Sequence, residues 1–121
     1  MESWTLKWSK LIDLNLLSTL VTIPSSSGVY RLSYQSGDGN KYVFYVGQAE
    51  NLNARMSQHL NQSETNICIK RMLSNNKCFV RYARVENRRV RDGAELFLHS
   101  HYAPSCNLTS PSGPQISINL E

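Results

Sequence analysis

The feature that most constrains this chain is a pair of strand-like runs joined by a short polar turn. The runs 29–34 and 42–47 are rich in β-branched and aromatic residues, which are typical of β-strands. The segment between them, 36–40, reads Ser-Gly-Asp-Gly-Asn, a composition that favours tight turns. The pattern predicts a β-hairpin and therefore an antiparallel sheet.

A helix is expected directly after the hairpin. Over 50–60 the apolar residues Leu52, Met56 and Leu60 recur every four positions, which places them on one face of a helix. Asn51 precedes them and is suited to be the N-cap. We expect this apolar stripe to pack on the sheet.

Three further elements follow from periodicity. The segment 66–73 suits a second short helix, and 78–85 has the period-two pattern of a strand. The segment 92–102 is predicted to be a helix that Asp92 caps and that ends before Pro104.

The two ends of the sequence differ in character. The first twenty residues predict an amphipathic helix that ends before Pro24 and covers the core. The stretch 105–121 is rich in Ser, Pro and Asn, and only its last residues alternate like a short strand. The N-terminal prediction depends on apolar residues spaced three and four apart, which are Trp4, Trp8, Leu11, Ile12, Leu16 and Leu20.

The order of these elements indicates the fold class. It predicts an α+β domain with a small, mainly antiparallel three-stranded sheet flanked by helices, and it needs no parallel sheet. The 121 residues show no internal repeat and no long linker, which suits one domain over 1–121. Within it we expect an N-terminal helix over 1–24 and a C-terminal tail over 108–121.

The charge balance is basic. Thirteen Lys and Arg against nine Asp and Glu leave a net charge of +4 and a pI near 9.1. Such a balance suits a protein that meets polyanions, although many basic proteins bind no nucleic acid.

Cysteine usage bears on the compartment. Cys68, Cys78 and Cys106 are odd in number and form no C-x-x-C pair, which favours reduced, buried thiols over a disulfide framework. We therefore expect a cytoplasmic protein, or a nuclear one in a eukaryote. The apolar run 11–21 is interrupted by polar residues and is too short to span a membrane.

An ordered set of short motifs runs through most of the chain. It resembles the GIY-YIG nuclease family, and the resemblance covers 28–107, the expected catalytic core. One departure is Gln48, where many relatives carry a small or basic residue. The motifs are Gly28-Val29-Tyr30, Tyr45-Val46-Gly47, Asn51-Leu52, Arg55, His59, Glu95-Leu-Phe-Leu98, Pro104 and Asn107.

The resemblance implies metal-dependent hydrolysis of a phosphodiester bond in DNA. Glu95 would bind one divalent cation, and a single carboxylate with retained water suits Mg²⁺ or Mn²⁺ better than Zn²⁺. Arg55 would clamp phosphate oxygens, and Tyr45 would orient the phosphate or the nucleophile. Asn107 would support the site, although it could equally be an ordinary loop asparagine.

The general base is open between two residues. Tyr30 is directly opposite Tyr45 if 36–39 form the hairpin loop, and both rings then project from one face. A tyrosine with its ordinary pKa of about 10 is almost wholly protonated at pH 7, whereas histidine is mostly neutral there. Either Tyr30 or His59 could therefore take the proton from the attacking water.

Basic residues outside this set predict a DNA-facing surface. The run 88–91 stands just before Glu95 and is well situated to hold a duplex backbone, unless it is only a solvated helix entrance. A zinc site of His99, His101 and Cys106 is set aside, because the two histidines point to different sides of a helix. The expected DNA contacts are Arg71, Arg84, Arg88, Arg89 and Arg91, with Lys41, Lys70 and Arg81 as further cations.

The sequence therefore predicts a DNA endonuclease. Two rivals are a catalytically inactive nuclease-like module that only binds nucleic acid, and a basic interaction domain that binds none. One such site cuts one strand, so a symmetric cutter would need a homodimer or a larger assembly. Three points stay open at the level of sequence: which DNA is recognised, whether the product is a nick or a double-strand break, and what the biological role is.

Overall fold

The computed structural model describes residues 2–120. Its four-stranded sheet is antiparallel, in the order β2-β5-β3-β4, and β1 and β6 pair in parallel as a separate two-stranded ribbon. The α+β class is confirmed. The elements are β1 (Glu2–Trp4), β2 (Ile12–Asp13), α1 (Leu16–Thr22), β3 (Gly28–Gln35), β4 (Lys41–Ala49), α2 (Leu52–Leu60), α3 (Ile67–Asn75), β5 (Cys78–Arg84), α4 (Arg88–Tyr102) and β6 (Ile116–Ile118).

The prediction of three strands and no parallel pairing was incomplete. The fourth strand, β2, has only two residues, which is too short to show alternation in the sequence. The parallel ribbon joins 2–4 to 116–118. No local pattern reveals such a pairing, because its two strands are separated by almost the whole chain.

The expected N-terminal helix was mostly wrong. Trp8 instead forms a bridge to Ala83, and Ile12 pairs with Val80, so this segment extends the sheet at the edge of β5. Only α1 is helical, and its Leu16 is exposed. Pairing with an open strand edge satisfies backbone groups, and this outweighed the helical spacing of the apolar residues.

The hairpin forms, but its register differs from the expected one. Tyr30 is opposite Gly47, and Tyr45 is opposite Leu32. The turn is one residue longer than predicted, because Gln35 pairs with Lys41, and a β-bulge after Leu32 adds a second shift. Two shifts of one residue restore the original face, so Tyr30 and Tyr45 still lie on the same side, with ring centroids 6.1 Å apart.

Asparagine side chains begin the helices. Asn51 accepts from the Ala54 amide, as predicted, and Asn66 accepts from the Ile69 amide at the start of α3. The predicted cap of α4 was wrong. Asn87, not Asp92, accepts a hydrogen bond from the Val90 amide, so α4 begins a full turn earlier and takes in the basic run 88–91.

Two layers of core enclose the sheet. On one face, α2, α3 and the residues that flank α1 cover Tyr30, Leu32 and Val80, while on the other face α4 and β6 cover Val29 and Val46. The predicted stripe on α2 packs on the sheet, since Leu52 and Met56 are fully buried and Leu60 is partly buried there. Strand β4 lies at the edge of the sheet, between the two layers.

The expectation of three reduced cysteines was wrong for two of them. Cys68 of α3 and Cys106 form a disulfide, while Cys78 is a buried free thiol. The two bonded residues are 38 positions apart, and only the tertiary packing of α3 against the segment after α4 brings them together. The cysteines therefore no longer support the inference of a reducing compartment.

Membrane-spanning character is absent from the helices within 2–120. None of them is both long enough and apolar enough to cross a bilayer. The apolar run 11–21 is divided between β2 and α1.

Substitution of Gly28 tests how closely the backbones of β3 and β5 pack. A Cβ at Gly28 would lie 2.2 Å from the carbonyl oxygen of Ala83. That oxygen is backbone in a paired strand and cannot move alone, so we expect Gly28→Ala to lower the free energy of unfolding by about 1–3 kcal/mol. Urea denaturation monitored by circular dichroism measures this change.

The matched control is Gly37→Ala in the hairpin turn. Apart from Gly37 and its two chain neighbours, no residue has an atom within 4 Å of a Cβ built at Gly37, so the stability of this variant should stay within about 0.5 kcal/mol of the wild type. Equal effects of the two substitutions would contradict the close approach at Gly28.

Candidate active site

The predicted site residues converge at the open edge of the sheet. A cavity of about 420 Å³ lies beside β4, and its walls come from β4, α2, α3, α4 and two loops. The polar and charged residues that line it include Tyr45, Arg55, Glu64, Glu95 and Asn107. Residues from both layers can reach one cavity here, because an edge strand leaves its flank uncovered.

Tyr30 lies behind this cavity and is fully buried. Its ring crosses β4 at Gly47, the residue directly opposite it. A Cβ at Gly47 would lie 2.6 Å from the Tyr30 hydroxyl oxygen, so only glycine leaves room for the ring. Its hydroxyl is 2.8 Å from Nε2 of His59.

His59 connects this tyrosine to a carboxylate. Its Nδ1 is 2.5 Å from Oε1 of Glu64, an arrangement that favours a proton on Nδ1 and leaves Nε2 as an acceptor. Tyr30, His59 and Glu64 therefore form a continuous hydrogen-bonded chain.

The protonation states suit such a chain. Burial is the largest influence on His59 and lowers its pKa. Burial alone would raise the pKa of Glu64, but its hydrogen bond and attraction to His59 outweigh burial, and the pKa is lowered. Burial raises the pKa of Tyr30 well above its ordinary value, although Arg55 opposes the shift. At neutral pH Tyr30 is a phenol that can donate to a neutral imidazole.

Arg55 is placed beside the two tyrosines. Burial alone would lower its pKa, but the tyrosines Tyr30 and Tyr45 outweigh burial, and the pKa is raised. Its Nη1 also donates to Oε1 of Gln58 at 3.1 Å. The guanidinium is half-buried and lines the cavity, so a positive charge faces any anion that enters.

Glu95 faces the cavity from α4. Burial is the main cause of its raised pKa, and the nearby Asp92 adds to the shift, while a hydrogen bond from Gln48 opposes it. The Gln48 amide nitrogen lies 3.1 Å from Oε1 of Glu95 and 2.6 Å from Oδ1 of Asp92. Gln48 thus holds the two carboxylates in place from the neighbouring strand.

The donor set around Glu95 suits a hard divalent cation. Within residues 2–120, no three His, Cys, Asp or Glu side chains converge as a metal cage. Glu64 lines the same cavity but is engaged by His59. One half-buried carboxylate in a polar cavity fits Mg²⁺ or Mn²⁺, which keep several water ligands.

Asn107 lies at the edge of β4 and supports its backbone. Its side-chain oxygen accepts from the Val46 amide at 3.0 Å, and its Nδ2 donates to the Val46 carbonyl at 2.9 Å. The Cys106 amide donates to the Phe44 carbonyl at 2.8 Å. Asn107 therefore pairs with β4 as a further strand would, and its amide group positions the strand that carries Tyr45.

The predicted DNA contacts are dispersed. Arg71, Arg84 and Arg88 are exposed, and exposed Arg89 forms an ion pair with Glu2. Arg91 was wrongly assigned, because it is buried. Its Nη1 donates to the carbonyls of Val85 and Glu86, and its Nε donates to Gln48.

Sequence reasoning missed two residues of this site. Glu64 stands five positions after His59, beyond the end of α2, and an isolated carboxylate in a loop gives no periodic signal. Gln48 was noted only as a departure from the family. The side-chain amide of Gln48 was a signal that this residue could hold a carboxylate. Its partners, Asp92 and Glu95, could be identified only from the approach of α4 to β4.

The comparison with known proteins agrees with this fold. Residues 26–104 match the family model described as the GIY-YIG catalytic domain. Since the match spans more than half of the chain, the chain belongs to the GIY-YIG family.

The chain is similar to several proteins that share one name. The UvrABC system protein C of Rickettsia rickettsii (strain Sheila Smith) is 33% identical over 107 residues, which cover 86% of this chain. The protein of the same name from Rickettsia africae (strain ESF-5) is 39% identical over 107 residues, with the same coverage of this chain. The chain spans only 16% of the length of these relatives.

A solved structure shows the same fold. The GIY-YIG N-terminal endonuclease domain of UvrC from Thermotoga maritima, bound to its catalytic divalent cation magnesium, superposes with a TM-score of 0.59. It is 22% identical, and the match covers 77% of this chain and 96% of that one.

Burial of His59 makes stability depend on pH. Its folded pKa lies below its unfolded value, so its contribution is complete above about pH 6.5 and is lost as the pH falls. Between pH 7 and pH 6, the wild type should lose up to about 0.7 kcal/mol of unfolding free energy relative to His59→Gln. Urea titrations of both proteins at the two pH values measure the difference.

The other two histidines are common to both proteins and cancel in this comparison. A difference in unfolding free energy that stays constant between the two pH values would show that His59 titrates normally in the fold.

Proposed function

We propose that this chain cuts DNA by metal-assisted hydrolysis, with the catalytic core at 28–107. The observation that carries the proposal is the series of hydrogen bonds from Tyr30 through His59 to Glu64. These residues lie beside a cavity that is lined by Arg55 and Glu95. The cavity thus combines a route for a proton, a fixed cation and a carboxylate able to hold a metal ion. Phosphodiester hydrolysis needs all three.

Glu95 is the residue that would hold the metal ion, Mg²⁺ or Mn²⁺. When bound, the ion supplies positive charge to the phosphate and makes a nearby water more acidic. Support comes from the structure of the Thermotoga maritima domain, which is described as bound to its catalytic divalent cation, magnesium. Gln48 keeps Glu95 turned toward the cavity by its hydrogen bond to Oε1.

Arg55 binds the phosphate. Its guanidinium lines the cavity, and a planar fork can hold two phosphate oxygens at once. Negative charge grows on these oxygens as the phosphorus is attacked, so a fixed cation stabilises the transition state more than the ground state. Tyr45 lines the same cavity and orients the phosphate or the attacking water.

The two candidates for the base act as one unit. Tyr30 alone is a poor base because its pKa is raised, but its hydroxyl can pass its own proton to Nε2 of His59 while it accepts one from water. Glu64 then stabilises the imidazolium, as a carboxylate does in other histidine-based sites. We therefore assign His59 as the final proton acceptor and Tyr30 as the group that relays the proton to it.

DNA is the proposed substrate. The net charge of +4 and the exposed residues Arg71, Arg84, Arg88 and Arg89 supply cations for phosphate contacts. The name of the relatives, UvrABC system protein C, adds support for a role within an assembly. A single site cuts one strand, so cutting both strands would need two copies of this chain.

Cleavage of plasmid DNA tests the proposed site. In Mg²⁺ or Mn²⁺ we expect nicking of supercoiled plasmid and cutting of branched DNA. Glu95→Gln removes the metal ligand and Arg55→Gln removes the phosphate clamp, so each should lower the rate at least about 10²-fold. Gel electrophoresis of the products over time measures these rates.

The control is Glu86→Gln, which changes an exposed carboxylate outside the cavity and should leave the rate unchanged. Metal-independent cutting, or cutting that survives both site substitutions, would contradict the proposal. Salt-sensitive DNA binding without any cutting would favour the inactive binding module instead. No DNA binding at all would favour the interaction domain.

The relay predicts a particular pH dependence. His59→Ala removes the proton acceptor, so the rate should fall about 10²–10⁴-fold. Glu64→Gln should keep binding but lower the rate, because the imidazolium loses its partner. In the wild type, protonation of His59 should contribute to the fall in cleavage rate at low pH. Rates measured from pH 5 to 9 should show that this contribution is lost in His59→Ala.

A nearly normal cleavage rate in His59→Ala, with an unchanged fall in rate at low pH, would contradict the assignment of His59 as the proton acceptor. The pKa of Glu95 is also raised, so its protonation can lower the rate at low pH as well. Glu64→Gln removes the partner of His59 and leaves Glu95 intact, and it therefore separates the effect of His59 from that of Glu95.

A further inference from the structure

A second cavity lies at the other edge of the sheet, away from β4. It has a volume of about 370 Å³ and is formed where the segment before β2 meets β5. The residues that line it are Lys7, Trp8, Ser9, Tyr82 and Arg84. Its walls thus combine two cations with two aromatic residues, and none of these five lining residues has a carboxylate.

The walls of this cavity are held in place by backbone and side-chain hydrogen bonds. The Ser9 amide donates to the Tyr82 carbonyl at 2.8 Å, and the Tyr82 amide donates to the Ser9 hydroxyl at 3.1 Å. Arg81 Nε donates to the Ser9 carbonyl at 3.0 Å. The segment that carries Lys7 and Trp8 is therefore fixed against β5 before any ligand arrives.

The Trp8 ring is also fixed. Its indole N–H donates to the Asn119 carbonyl at 2.7 Å, and the guanidinium of Arg31 lies 4.6 Å from its centroid. A rigid aromatic wall loses little entropy when a ligand binds. Lys7 and Arg84 are exposed and keep their charges available at the rim.

This chemistry matches an unpaired nucleotide. A nucleobase has a planar face that stacks on aromatic side chains, and its phosphate is a strong partner for Lys and Arg. The volume suits one such unit, since small-ligand cavities begin at about 300 Å³. Duplex DNA would not fit as well, because its bases are stacked on each other and cannot enter.

We propose that this cavity binds an unpaired nucleotide of a DNA strand. The nucleotide would stack on Trp8 or Tyr82, and its phosphate would bind Lys7 and Arg84. The inference rests on the proposed function for the choice of DNA. It adds that the substrate carries a single-stranded segment, which is held at the edge of β5 while the cavity beside β4 acts on the strand to be cut.

Fluorescence of Trp8 provides a direct readout. The chain has two tryptophans, so Trp4→Phe leaves Trp8 as the single reporter. In a Glu95→Gln background, which prevents cutting, we expect the oligonucleotide dT12 to quench this fluorescence saturably. The mononucleotide dTMP should quench it with weaker affinity, and a blunt hairpin duplex should quench it least.

Charge removal tests the phosphate contacts. Lys7→Gln with Arg84→Gln should weaken dT12 binding roughly tenfold at 0.1 M salt and should lower the salt slope by about 1.4, since each single-strand contact contributes about 0.7. Fluorescence anisotropy of labelled dT12 in the same Glu95→Gln background gives the same constants without the Trp4 substitution.

The matched control is Lys77→Glu. It lowers the net charge by the same two units at an exposed residue near Phe79, at the opposite end of β5, and should change dT12 affinity less than twofold. Absent quenching by dT12, or equal effects of the double variant and this control, would overturn the inference. Loss of cutting in Glu95→Gln tests the catalytic proposal alone, because the binding of single-stranded DNA is measured in a variant that does not cut.

Discussion

The ring of Tyr30 crosses a neighbouring strand at the one residue without a side chain, and the site depends on this crossing. Gly47 leaves the space that the ring fills, and the hydroxyl thereby reaches Nε2 of His59. Any side chain at Gly47 would push the ring away from the helix that carries His59. Packing at one backbone position thus joins the hairpin to α2 and creates the hydrogen-bonded chain that ends at Glu64.

The second constraint is the edge of β4. An exposed edge offers unpaired amides and carbonyls, and here Cys106 and the side chain of Asn107 take them up. This closure needs no additional strand, so the flank of β4 stays open for residues of α2 and α4. The cavity is therefore a product of how the edge is sealed, and it brings Arg55 and Glu95 together from opposite layers.

The opposite edge of the sheet is sealed in a different way. The segment before β2 runs along β5 through Trp8 and Ser9, and this pairing places a cationic, aromatic cavity there. Both edges thus present basic or polar side chains, while apolar residues are enclosed between them. Under the proposed function, this arrangement would give the domain two separate places for contact with DNA.

The sequence by itself determined the hairpin, the helices after it, the strand β5, the α+β class and most residues of the candidate active site. These features depend on local periodicity, capping and turn residues, and on a resemblance carried by short motifs. Tertiary structure decided the two-residue shift of Tyr30 against Tyr45, the strand pairing of the N-terminal segment and the disulfide of Cys68 and Cys106. It also decided the roles of Glu64 and Gln48 and the burial of Arg91. Each of these depends on contacts between residues far apart in the chain, and a local pattern carries no information about which distant surface a segment will meet.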